Sequence, residues 1–286
     1  MSTSHSLRDV LLTALAPLIW GSTYWVTTQF LPPDRPFTAA VLRCLPAGVL
    51  LLLWARRLPQ MAEWAKIALL AFLNIGFFQA MLFVAAYRLP GGLAAILSST
   101  QILMVLLLVW LVGREPVTKG AWLFAVLGVV GVALLVLSPQ AKADVLGIVA
   151  ALSGAASMAT GVFFGKRWRV DLPLLALTGW QLLLGGVMLL PLALWRESLP
   201  PQLTLSHVGG YLYLCLLGAV LAYALYFRGI AKLPPAAVSS LGLLSPVCAF
   251  VLGWLFLGQS MNAAALVGFA LVLLSVFGVQ RAVYSK

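Results

Sequence analysis

Apolar runs of about twenty residues alternate along the whole chain with short polar breaks rich in proline and glycine. Ten runs can be drawn: 10–30, 37–55, 67–87, 91–112, 118–137, 145–165, 173–195, 208–230, 236–257 and 263–282. Each has the length an α-helix needs to cross a hydrocarbon layer ~30 Å thick at ~1.5 Å per residue. The breaks, such as "LPPDRP", "RLPGG", "GREPVTK", "SPQAKAD" and "KLPPAA", carry turn chemistry and are too short to hold a domain. The pattern predicts an all-α integral membrane protein with ten transmembrane helices. The first run follows Arg8 like a signal peptide, but it is longer than a signal core of about 7–15 residues and no small-residue cleavage site follows, so it reads as a retained span.

Composition agrees. Of 286 residues, 63% are hydrophobic and 9% charged, whereas about a quarter are charged in soluble domains. The net charge of +11 raises nucleic-acid binding, and its distribution removes it. With the N-terminus in the cytoplasm, twelve Lys and Arg fall on the inner side, among them Arg56, Arg57, Lys166, Arg167, Arg169 and Arg281; four fall outside, Arg35, Arg88, Lys142 and Arg196. That bias is the positive-inside signal of a multi-pass protein of a bacterial-type cytoplasmic (inner) membrane with both termini cytoplasmic.

The chain resembles itself. "DVLLTAL" at 9–15 matches "DVLGIVA" at 144–150, an offset of 135 that also sets Ser22 against Ser157. "RLPGGLAAIL" at 88–97 matches "KLPPAAVSSL" at 232–241, an offset of 144. Arg43 and Gly48 correspond to Gln181 and Gly186. Two units follow, 1–140 and 141–286, each of five spans. Five is odd, so the second unit enters the membrane from the opposite side, the inverted-repeat arrangement of alternating-access carriers.

Several chemistries lack their residues. All seven acids lie near span ends: Asp9, Asp34, Glu63, Glu115, Asp144, Asp171 and Glu197. No mid-span carboxylate offers a proton relay of the usual kind. There is no phosphate-binding G-x-x-x-x-G-K-[ST] loop, no His-based triad and no ligand spacing for a metal. Cys44, Cys215 and Cys248 fall in apolar segments and read as small buried hydrophobes. Neither an enzyme nor a cofactor is implied.

What remains inside the spans is neutral, polar or aromatic. "PLIWGSTYWV" at 17–26 places Trp20 about ten residues into its span, some 15 Å deep, with Tyr24 on the same face. Asn74 and Gln79 stand out in the third span, Ser98 to Gln101 in the fourth, Ser153, Ser157 and Thr160 in the sixth, Tyr223 and Tyr226 in the eighth. Serines and threonines of this kind also serve as small packing residues. Pro246 frees the carbonyl of Gly242 in a continuous helix and marks a hinge or a simple bend. Arg43 snorkels to the interface or lines a cavity mouth, with snorkelling favoured. Glu115 reads as a surface residue that caps a helix or pairs with Arg114 or Lys119.

"WGSTY", "VLRCLPAG", "LPGGLAAILSSTQ" with Glu115 after it, and "LPPAAVSSLGLLSP" together resemble the drug/metabolite transporter superfamily, EamA branch, over the whole chain. Within it the chain looks most like YddG-type exporters of aromatic and other neutral amino acids. The resemblance implies a central cavity and outward movement of small metabolites. By position, its wall is Trp20, Ser22, Tyr24, Gln79, Ser98, Gln101, Ser157, Tyr223, Ser240 and Ser245. A cavity without fixed charge suits a substrate of zero net charge. The partners expected are that small molecule and membrane lipid, with no nucleic acid and a monomeric carrier. Multidrug efflux and nucleotide-sugar carriage are alternatives within the same fold, and an intramembrane lipid-modifying enzyme is one outside it.

Overall fold

A computed structural model describes residues 3–89, 91–136, 144–168, 170–198, 202–257 and 262–284, with only the backbone at 3–6, 24, 28, 86, 87, 91–93, 136 and 257. Its regular structure is helical throughout. Span 1 is Thr3–Phe30, span 2 Pro36–Ala55, span 5 Lys119–Val136, span 6 Val145–Arg167, span 7 Leu174–Arg196 and span 10 Ala263–Tyr284. The other four are interrupted. Span 3 runs through Trp64–Ala71, a π turn Phe72–Gly76 and Phe77–Arg88. Span 8 runs through Leu205–Cys215, a π turn Leu216–Leu221 and Ala222–Lys232. Span 4 is Gly91–Ser99 and Gln101–Leu111, and span 9 is Pro235–Leu241 and Leu244–Leu257. Among the described residues nine helices are long and apolar enough to cross a membrane, and the tenth, span 5, is apolar but shorter.

The interruptions repeat. The π turns begin at 72 and 216, the same 144-residue offset that aligns the "RLPGG" and "KLPPA" junctions. Packing repeats as well. Span 2 lies along span 7 and span 5 along span 10, each against its own counterpart. Span 1 packs on spans 8 and 9, and span 6 packs on spans 3 and 4. The first helix of each five-helix repeat is therefore embedded in the other repeat, as a twofold relation between inverted repeats requires.

Small residues make the counterpart contacts close. Lipid offers no hydrophobic drive between helices, so backbones must approach for dispersion to count. A Cβ on Gly48 would overlap the backbone of Leu183, and one on Gly268 would lie 2.6 Å from the carbonyl oxygen of Gly131. Both ends of the span 2–span 7 pair are tied. The Glu197 carboxylate accepts the N–H groups of Phe37 and Thr38 at 2.7 Å each, at the positive end of span 2. At the opposite end the Trp180 indole donates to the Arg57 carbonyl at 3.0 Å.

Two ion pairs join the repeats at opposite faces. On the face where span 1 begins, Asp9 pairs with Arg228 and lies 3.9 Å from Lys232. On the other face Asp144 pairs with Arg88 at 3.2 Å. Asp9 and Asp144 correspond at offset 135, and Arg88 and Lys232 at offset 144. Asp144 also caps span 6. The Gly147 N–H it accepts, and secondarily the charge of Arg88, hold its carboxyl below the ordinary 3.8. That stabilisation is in place above the usual carboxylate range and is lost as pH falls through the lowered value.

Span 9 corrects one expectation. The helix restarts at Leu244, and the Gly242 carbonyl accepts the Ser245 N–H at 3.1 Å. Pro246 thus sits in the first turn of a new helix, where a missing amide costs little. The break in this span is the Gly242–Leu243 turn.

The glycine contacts give a clean test. Gly48→Leu should lower the detergent unfolding temperature by several degrees or prevent folding, whereas Gly209→Leu, with nothing within 4 Å of its Cβ position, should match the parent. Thermal unfolding of the purified variants checks this.

Candidate functional site

The two π turns lie roughly half-way along their spans, at the depth where lipid can satisfy no backbone group. A π turn opens the i→i−4 ladder and turns carbonyls toward outside partners. Side chains of the opposite repeat meet them. The Leu73 carbonyl accepts the Ser157 hydroxyl of span 6 at 2.8 Å. The Gly218 carbonyl accepts two donors, the Trp20 indole N–H at 3.0 Å and Arg43 Nη2 at 2.9 Å.

An aromatic and polar cluster grows from Gly218. The Trp20 ring lies 4.9 Å from both Tyr223 and Tyr226, one helical turn apart on span 8. Gln79 of span 3 donates to the Tyr223 hydroxyl at 3.0 Å, and Gln101 of span 4 lies within hydrogen-bonding reach of the Tyr226 hydroxyl. The Arg43 guanidinium sits 5.8 Å from the centre of the Tyr223 ring. The side chains of Gln79 and Cys44 are within reach of each other beside it. Two buried polar atoms here have no hydrogen-bond partner, Arg43 Nε and Gln79 Oε1.

The cluster is closed. Tyr223 and Gln79 are each 1% exposed, and the Trp20 ring packs against both tyrosines. A cavity of about 370 Å³ lies instead toward the face where span 1 begins, lined by Glu115, Lys166, Arg167 and Lys232 among others.

Two segments of the chain, 7–137 and 145–281, match the model of the EamA-like transporter family. The chain belongs to that family. It is 44% identical over 93% of its length to protein PecM of Dickeya dadantii, covering 90% of that protein. It is 28% identical over 91% of its length to the uncharacterised inner membrane transporter YedA of Escherichia coli, covering 88% of it. A solved crystal structure with 17% identity shares the fold, with a TM-score of 0.76 over 96% of this chain and 98% of the other. This EamA-family chain is therefore a multi-pass membrane transporter.

Within that frame the anticipated wall residues divide. Trp20, Gln79, Gln101 and Tyr223 meet in one cluster drawn from both repeats. Ser22 shares a 2.6 Å hydrogen bond with the Tyr213 hydroxyl, further along span 1 from the cluster. Ser157 belongs to the other π turn. Ser98 and Ser245 are half-buried beside the breaks of spans 4 and 9. The Tyr24 side chain lies outside the described residues. Ser240 corrects the expectation: its hydroxyl donates to the Ala237 carbonyl and accepts the Gln280 amide of span 10, so it faces a peripheral helix.

Arg43 is the larger correction. It is 6% exposed and turned into the protein, so it neither snorkels nor leaves the site uncharged. The reason is local: the Gly218 carbonyl and the Tyr223 ring give the guanidinium partners that lipid would not. Tyr226 was the other residue not assigned to the wall, although its three-residue spacing from Tyr223 puts both on one helix face.

The Gln79–Tyr223 bond yields a stability cycle. Gln79→Leu strands the Tyr223 hydroxyl, and Tyr223→Phe strands the Gln79 amide, each at a cost of about 1–3 kcal/mol. The double variant should lose clearly less than the sum, as read by denaturant or thermal unfolding in detergent.

Proposed function

We propose that this transporter carries a small metabolite, an amino acid with an apolar or aromatic side chain, out of the cytoplasm by alternating access between the units 1–140 and 141–286, with both termini cytoplasmic. The observation that carries the reading is the Trp20–Tyr223–Tyr226–Gln79 cluster. It joins both repeats half-way through the membrane and offers ring faces and amide groups on the scale of one amino acid. A site at the repeat interface is where an inverted-repeat carrier needs one.

The inter-repeat ion pairs suit the same cycle. Opening toward either face must separate one repeat's Asp from the other repeat's base at that face, while the opposite pair stays closed. The Asp9–Arg228 side chains are 16% and 21% exposed, against 40% and 45% for Asp144 and Arg88. Exposed pairs are worth about 0–1 kcal/mol and partly buried ones more, so opening at the Asp144 face is the cheaper step. Unless an ion is coupled, flux follows the solute gradient.

Two experiments test this. Purified protein in liposomes, given a panel of labelled amino acids and uncharged non-amino-acid solutes, should move at least one apolar amino acid. Trp20→Ala and Gln79→Ala should each cut the initial rate about tenfold or more at normal yield. Parental rates in both variants would remove these residues from the site. For the gates, Thr13→Cys is placed in a background with Cys44, Cys215 and Cys248 replaced by alanine. Thr13 is fully buried four residues beyond Asp9. Asp9→Asn should quicken its labelling by an impermeant maleimide, and Asp144→Asn should not.

A further inference from the structure

The charge of Arg43 is unanswered within the chain. Its Nη2 donates to Gly218 and its Nε has no partner, although the residue is 94% buried. The ion pairs among the described residues involve only Arg88, Arg228 and Lys232 with Asp144 and Asp9. A buried guanidinium without an anion carries a desolvation cost of several kcal/mol that one neutral carbonyl and one ring face do not offset.

The repeat supplies an internal comparison. Asn74 stands 144 residues before Gly218, each inside its π turn, and Gln181 stands where Arg43 would recur. On that side Asn74 donates to Gln181 at 2.8 Å, a neutral pair formed within the protein. The Asn74 amide is pressed so closely on Gly161 that no Cβ would fit there. On the other side the asparagine is replaced by glycine and the glutamine by arginine. With no side chain at position 218, the guanidinium comes within 3.6–3.8 Å of where a Cβ would stand, and nothing from span 8 occupies its remaining donors.

We infer that Arg43 is a specificity-determining residue that receives the carboxylate of the transported solute, with Gln79 Oε1 accepting a donor from the same molecule and the Trp20, Tyr223 and Tyr226 rings holding its apolar body. The planar fork of Arg matches a carboxylate with two parallel hydrogen bonds, which a Lys cannot reproduce. A solute of this class, an amino acid or a related small organic acid, brings the missing anion into the low-dielectric centre. An α-ammonium group has the Gln79 oxygen and the ring faces to meet it. The inference rests on the proposed transport reading and names the side chain that meets the carboxylate of its solute.

The experiment compares 3-phenylpropionate with 3-phenylpropionamide, probes that differ only in the charge and donor pattern of the head group. Thermal unfolding of the parent in detergent should be raised by the acid at about tenfold lower concentration than by the amide. Arg43→Gln should bind both equally. Arg43→Lys should keep a reduced preference for the acid. Monodisperse elution of each variant checks that it is folded. No shift with either probe in the parent, or an acid preference that survives in Arg43→Gln, overturns the inference. The liposome panel separates the two readings: flux of an apolar amino acid that is as fast in Arg43→Gln as in the parent leaves the transport reading standing and removes this one. An Arg43-dependent shift without flux of any solute does the reverse.

Discussion

Every polar backbone group at the centre of a membrane must find its partner inside the protein, and in this chain that requirement falls on the two π turns. Each opens carbonyls at mid-span, in spans 3 and 8, and each is met by side chains from the opposite repeat: Ser157 on Leu73, Trp20 and Arg43 on Gly218. The bonds that satisfy the backbone are thereby the bonds that join the halves. They also fix Trp20 against two tyrosines and draw an arginine away from the interface. Fold and site share one cause.

The two repeats answer that requirement differently. Around Leu73 and Asn74 the groups are neutral, bonded through Ser157 and Gln181, with Asn74 Oδ1 left without a partner. Around Gly218 they are aromatic and cationic, and two polar atoms stay unpaired. Inverted duplication alone would give two equivalent half-sites. Having Gly for Asn within the π turn and Arg for Gln on the facing helix leaves one side a packed neutral pair and gives the other the proposed binding surface, with no change to the backbone plan. The asymmetry lies at four positions, Asn74, Gly218, Gln181 and Arg43.

Much of this was legible in the sequence. Run length and turn chemistry predict ten spans, and helices run through each of them, span 1 starting earlier than drawn, at Thr3. The offsets 135 and 144 pointed to the residues that later proved to pair across the repeats, Asp9 and Asp144 with Lys232 and Arg88. What the pattern could not carry was the π turns. They arise where backbones of spans 3 and 8 adjust to neighbours from the other repeat, and "FLNIG" and "LLGAVL" read as ordinary helix. Missing them, the sequence reading sent Arg43 to the interface, since no internal acceptor was visible for it. The resemblance placed Ser240 in the wall by position, whereas in the seven-residue helix Pro235–Leu241 its hydroxyl meets Gln280 of span 10.

The same interruptions tell which parts can move. Spans 2 and 7, and spans 5 and 10, meet through glycines whose Cβ positions are filled by the partner's backbone, a contact that tolerates almost no sliding. Spans 3, 4, 8 and 9 each contain a π turn or a break, and spans 1 and 6 pack mainly on these four. A helix broken at mid-span can tilt one half without the other, at the cost of a few backbone bonds that side chains already share. In the proposed cycle the rigid pairs would form a frame, and the six interrupted or embedded helices would form the part that opens. Trp20 sits on one of the six, and its ring contacts and its single bond to Gly218 must all be broken for span 1 to leave span 8. Solute that replaces those contacts lowers the cost of that step, and this ties occupancy of the centre to movement of the halves.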